Sequence, residues 1–385
     1  MKKSLLFLPL TTLITPFVLS SCSNNENVVV FALSTPFNEG NPNEFVKIIN
    51  KKTNEKIDKI NSANSNNNEQ IQNIKIKAKI HDGNLVKKQS LQNGSANFAF
   101  LNTKTVIDDD FYKKENIFPT IQTLTSPFIF DTDMSKKYVD GTENDPLRKI
   151  AKKMQEVSFD VKPFSEWKDE DFQWEKYRYQ SFYDLNSLTS KYRGMILFTG
   201  NDEQIKLATK YWNEKDWNNF RNLGIITGEA TSVGLYQLQE KILKKHFDKK
   251  DNTFTTLVED KNKNPNKYIV DPFGTEKLGT DTNFVISFAE EGSFAWTNSI
   301  KSPNSFRPSK GSKIKIFSST NPAFYDIGVF SNINKIYVDL MTESIVETFQ
   351  EGLNSYGNGL GYNGYKTITN FENEIKNEYD ELNKL

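Results

Sequence analysis

The chain has 385 residues, with 49 basic and 49 acidic side chains, two histidines and one cysteine. A balanced charge gives no general attraction to nucleic acid or to an anionic lipid surface, so any bound anion must be held by a local site. His81 and His246 lie too far apart in sequence to argue for zinc, and a single cysteine allows no intramolecular disulfide, so stability must come from a core, and the length suits two lobes.

Residues 1–21 read as a secretory signal. Lys2 and Lys3 give a positive start, residues 5–19 are apolar but broken by Pro9 and Pro16, and Leu19-Ser20-Ser21-Cys22 closes the segment. A spanning helix needs about 20 uninterrupted apolar residues, more than this run supplies. Small residues leading into the sole cysteine predict cleavage before Cys22 and a diacylglyceryl group on its thiol. Two acyl chains anchor stably where one holds marginally, so the mature protein is expected on the extracellular face of the cell membrane. Losing Lys2 and Lys3 leaves 47 basic against 49 acidic groups, a net charge of about −2.

Residues 28–33, Val-Val-Val-Phe-Ala-Leu, predict a buried strand ending at Ser34. Apolar residues at Phe45, Ile48, Ile49, Ile57 and Ile60 predict a helix over 43–60. Residues 61–70 are an Asn/Ser-rich loop, and 74–80 alternate strictly, as a strand with one wet face does. A short helix ends at Gly94, and 98–101 is another buried strand, with Asn102 at its end. Strand, helix, strand, helix, strand predicts a parallel sheet covered by helices.

Residues 121–130 read as a crossing to a second lobe. Asp145-Pro146 then opens a helix, Asp capping and Pro in the first position. Residues 164–183 are aromatic and irregular. Strands are expected at 192–198, 223–226, 283–289 and 313–317, with helices around Gly200 and Lys215 and from Ser232 to His246. The stretch 325–330 reads as the strand returning to the first lobe, which helices over 336–350 and 369–382 complete.

Five places carry possible chemistry. Residues 228–234, Gly-Glu-Ala-Thr-Ser-Val-Gly, join a strand to a helix, where backbone N–H groups with Thr231 and Ser232 suit a phosphate. A plain Ser232 N-cap is the better reading on residues alone. Residues 138–145 offer Asp140, Thr142 and Asp145 to a calcium ion, although a turn with an N-cap explains them more simply. Glu290, Glu291 and Trp296 suit a cationic heterocycle through charge and ring stacking, a reading that stands level with a solvated acidic turn over a core tryptophan. Tyr192-Arg193 and Tyr325-Asp326 each set an aromatic beside a charge near a strand end, where open α/β sheets bind ligands. No recognised catalytic spacing occurs, which lowers the case for an enzyme.

Taken together, several long strings resemble the high-affinity transport system lipoproteins of mycoplasmas, a family of extracytoplasmic thiamine-binding lipoproteins. They include Phe128-Ile129-Phe130-Asp131, Tyr138-Val139-Asp140-Gly141-Thr142, Tyr192-Arg193-Gly194-Met195-Ile196, residues 290–297 (Glu-Glu-Gly-Ser-Phe-Ala-Trp-Thr) and Gly361-Tyr362-Asn363-Gly364-Tyr365-Lys366. The resemblance runs from Phe128 onward and is faint from Asn27 to Ile121. It implies an α/β, two-lobed periplasmic-binding-protein-like fold (type II), related to phosphonate binders, with a ligand cleft between lobes. Residues 22–130 and 325–385 would form one lobe and 131–324 the inserted one. The implied ligand is thiamine or thiamine diphosphate, the partner an ABC transporter permease, and the state a monomer with no cofactor. In that setting the phosphate reading of Thr231 and Ser232 gains over the cap, with Arg193 as a charged partner. Ser34, Asn102, Tyr192, Glu290, Glu291, Trp296, Tyr325 and Asp326 complete the expected ligand contacts. Alternatives are a phosphonate-binding lipoprotein and a surface adhesin, the latter lacking the expected repeats.

Overall fold

The apolar run near the start becomes the strand Asn27–Leu33, paired in parallel with Ile74–Ile80 and Phe98–Leu101. The structure is a computed structural model that describes residues 27–37, 39–63, 70–249, 252–271, 278, 283–302 and 305–383. The signal segment and Cys22 lie outside the described residues. Helices Pro42–Ala63 and Asn84–Gln92 make the long crossovers that parallel pairing requires. Alternation in Ile74–Ile80 buries Ile74 and Ile76 and exposes Lys75 and Lys77, the wet-faced edge strand expected. The six-stranded sheet runs Gly364–Thr367, Ile117–Leu124, Ile327–Ser331, Phe98–Leu101, Asn27–Leu33, Ile74–Ile80. Ile327–Ser331 is antiparallel to both neighbours, so the sheet is mixed beyond its first three strands. Phe31, Phe98 and Phe330 pack together on it, with Phe98 4.5 Å from Phe31 and 4.6 Å from Phe330.

The second sheet has five strands, in the order Tyr268–Val270, Ile225–Thr227, Ile286–Glu290, Gly194–Gly200, Lys313–Ser319. Every residue of Gly194–Gly200 is buried, and it is antiparallel to both neighbours. Helix Pro146–Val157 starts as its sequence predicts: Asp145 accepts the Leu147 N–H and Pro146 takes the first position. Its Leu147, Ile150, Ala151 and Met154 join an aromatic-rich core. The stretch 164–183 enters that core through short turns and one small hairpin, Trp174–Glu175 with Arg178–Tyr179.

The chain leaves the first sheet after Leu124 and returns after Ser319. Two crossing segments are expected from the sequence, but a third stretch joins them. Thr189 bridges Thr125, and Lys191–Tyr192 pairs antiparallel with Ala323–Phe324. Among the described residues no helix is long and apolar enough to cross a membrane.

Candidate functional site

The ribbon between the sheets carries an aromatic pair. Ala323 lies opposite Tyr192, and the Tyr325 N–H donates to the Ser190 carbonyl. That register brings the Tyr192 and Tyr325 rings to 4.8 Å, tilted by 36°. Both are half-buried, and burial pushes both phenols well above their ordinary range.

Side chains on extended backbone alternate between faces, and this splits each dipeptide singled out above. Glu290 lies opposite Gly194 in the ladder, two residues from Tyr192, so Glu290 and Tyr192 share a face. Arg193 and Glu291 turn the other way and are buried, at 0% and 2% exposure. The Glu290 side chain presses on the helix start at Val233: a Cβ on Gly234 would come within 2.6 Å of its Cγ and 2.7 Å of its Oε1. Burial, and then the negative charge of Asp326, push the Glu290 carboxyl up to about 7. Glu290 and Asp326, from opposite sides of the crossing, thus bring their negative charges close enough to act on one another and on Tyr192.

The first sheet supplies the opposite wall. The Tyr362 hydroxyl donates to Asp326 Oδ2 at 2.6 Å, and the Tyr356 hydroxyl donates to the Ser34 carbonyl at 3.1 Å. Lys87 is only 4% exposed, and its Nζ donates to Ser34 Oγ at 3.0 Å. Burial lowers its pKa, against the pull of Asp326 and Asp82. Sequence reasoning misses Lys87, because a lysine beside Lys88 on a polar helix looks solvated. Tyr362 lies inside a string already quoted for the resemblance, so its signal was present.

A strap closes across the cleft. Lys176 and Tyr177, at the tip of the small hairpin, both have positive φ, 49° and 73°. Tyr177 comes beside Glu39 on the far side, and that carboxylate raises its phenol above the ordinary range. Arg178 donates to Asn363 Oδ1 at 2.7 Å and lies 4.2 Å over the Tyr183 ring. Trp296 is 39% exposed and stacks on Phe128, which packs on Tyr183.

Several of the expected contacts are engaged within the fold. Arg193 is no phosphate partner: it pairs with Asp131 at 2.5 Å and donates to the carbonyls of Lys136, Thr320 and Asp133. Glu291 is buried in the same cluster, and burial and then Asp131 raise its carboxyl well above the usual range. Ser232 is a cap, accepting the Leu235 N–H, while Thr231 is exposed. Asn102 likewise caps the short helix Thr103–Ile107, and it lines a small crevice facing Val233, Gln237 and Lys241. The calcium candidates bond within their own turn, Asp145 buried and Asp140 and Thr142 exposed. Asp145 Oδ2 accepts the N–H groups of Val139, Asp140 and Gly141, and Asp140 Oδ1 accepts from Thr142. Among the described residues no group of three or more His, Cys, Asp or Glu is placed to hold a metal.

A family model described as extracytoplasmic thiamine-binding lipoprotein matches residues 43–383. The high affinity transport system protein p37 of Mesomycoplasma hyorhinis is 42% identical over 269 residues, covering 70% of this chain and 65%, just under two thirds, of that relative. The protein of the same description in Mycoplasma pneumoniae is 32% identical over 387 residues, covering 96% of this chain and 94% of that one. The solved structure of the Mycoplasma hyorhinis protein Mh-p37, described as a candidate thiamine pyrophosphate transporter, matches with a TM-score of 0.83 at 33% identity. It covers 93% of this chain and 99% of that one.

Proposed function

The chain belongs to the family of extracytoplasmic thiamine-binding lipoproteins, and from that premise we propose that it captures thiamine or thiamine diphosphate between its lobes for an ABC-type importer. The observation that carries this reading is the meeting of the Tyr192–Tyr325 pair with Glu290 and Asp326. Nearby carboxylates repel, and burial strengthens the repulsion. A thiazolium ring carries a fixed positive charge and is flat. Lodged against the tyrosines, it relieves the repulsion and stacks, contributing from about 0.5 to 2 kcal/mol as water is excluded. Trp296 and Phe128 extend the aromatic wall toward solvent, where the aminopyrimidine can lie.

Cys22 carries the lipid in this reading, holding the binding protein beside its permease, and the binding unit is a monomer. Cys22→Ser should abolish lipid labelling and release the protein from membranes, and a labelled mutant would refute the anchor. The ligand is tested by mass spectrometry of small molecules released from purified, denatured protein. Thiamine or its diphosphate is expected. An alkylphosphonate in its place would overturn the assignment.

A further inference from the structure

We propose that Lys87, with the Ser34 hydroxyl, forms the anion-reading end of the cleft and selects the phosphorylated form of the ligand; this rests on the thiamine reading above.

Lys87 lies in the first turns of helix Asn84–Gln92, at the edge of the first sheet where the Asn27–Leu33 strand ends. It is 4% exposed, and the one hydrogen bond its ammonium makes among the described residues goes to Ser34 Oγ. An ammonium has three donors. Its two nearby carboxylates act on it through charge, yet neither forms an ion pair with it. Each is committed to another partner: Asp326 accepts from Tyr362, and Asp82 accepts from the Thr35 N–H and hydroxyl. A cation buried without a bonded counter-charge is costly unless something else supplies one.

The surroundings define that something. Ser34, Tyr356 and Tyr362 crowd the same wall, so the group must be compact and rich in acceptors. A phosphate meets this need, since it can accept from the spare lysine donors and from a hydroxyl together. The cleft then has a polarity: a cation end at Glu290, Asp326 and the tyrosines, and an anion end at Lys87 and Ser34. A ligand carrying both charges satisfies both ends, whereas one with only a cation leaves Lys87 as it was. Arg193, the charged partner expected from sequence, is locked in the core and cannot serve.

The test is calorimetry on full-length protein in detergent, stripped of carried ligand, with thiamine and thiamine diphosphate as separate titrants. Wild type should bind the diphosphate more tightly. Lys87→Met should weaken the diphosphate by about ten- to hundred-fold, the worth of a charged hydrogen bond, and leave thiamine within about three-fold. Methionine removes a buried charge without leaving a cavity, so this variant is expected to fold. Ser34→Ala, which leaves the charge, should shift the same preference in the same direction, and Lys87→Arg should restore part of it. Equal weakening of both compounds by Lys87→Met, or no change in either, would overturn the assignment. Wild-type protein that binds neither compound would instead refute the thiamine reading itself.

Discussion

Glu290 is the residue on which the cation end turns, because its charge depends on what lies beside it. Burial and Asp326 hold its carboxyl up at about 7. An acid whose folded pKa is raised stabilises the fold fully below its unfolded pKa and loses that contribution as pH rises through the folded value. The empty protein should therefore lose stability between pH 4.5 and about 7. A bound thiazolium favours the ionised carboxylate, so binding releases a proton near neutral pH. Affinity for thiamine should fall as pH drops below about 7, by at most about tenfold per unit, and Glu290→Gln should flatten that slope. A pH series of titrations on both proteins decides it, and identical slopes would refute the role. Arg193 belongs to the fold instead. Removing its partner by Asp131→Ala leaves a buried guanidinium uncompensated and should cost about 3–5 kcal/mol in denaturant unfolding. The dipeptides Tyr192-Arg193 and Glu290-Glu291 were visible in the sequence as charged and aromatic, but not which member faces the cleft. The pleat decides that, and its phase follows from pairing with a strand about a hundred residues away.

Among the elements, the hairpin Trp174–Glu175 with Arg178–Tyr179 connects local strain to lobe position. Holding Lys176 and Tyr177 at positive φ costs of order 1–3 kcal/mol each and persists only where the surroundings over-determine it. Here Tyr177 and Arg178 reach across to Glu39 and Asn363. Arg178→Ala should leave the core intact, favour the open arrangement of the lobes, and weaken every ligand by a common factor. Small-angle scattering at saturating ligand should show a larger radius for the variant than for wild type, and equal radii would remove the strap from the account. The hairpin was not legible beforehand, because a run of aromatics without alternation carries no strand signal. Tyr268–Val270 and Gly364–Thr367 escaped for a related reason: strands of three and four residues, placed at sheet edges, are too short for a period to show. Ile74–Ile80 and the Asp145-Pro146 helix start were read correctly because local chemistry and tertiary burial agree there, whereas the strand expected over 192–198 breaks at Arg193 and runs on as Gly194–Gly200.

For the molecule as a whole, two mixed sheets joined through a three-part ribbon place the aromatic pair on the joint between them. On the binding role proposed above, closure and ligand contact are one event, with Asp326 and Lys87 contributed by one side and Glu290 by the other. Such a protein shifts toward the closed arrangement by as much as the ligand prefers it. The two-lobed plan was legible from the order of strands and helices, since parallel strands demand crossovers. The wall of the cleft was not, because it assembles Ser34, Lys87, Asp326 and Tyr362 from four separate elements. A crystal structure of the protein with thiamine diphosphate tests the central claim most directly. The account predicts the thiazolium against Tyr192 and Tyr325, between the carboxylates of Glu290 and Asp326, with the phosphates toward Lys87 and Ser34. A ligand seated elsewhere, for instance in the crevice between Asn102 and Val233, would contradict it.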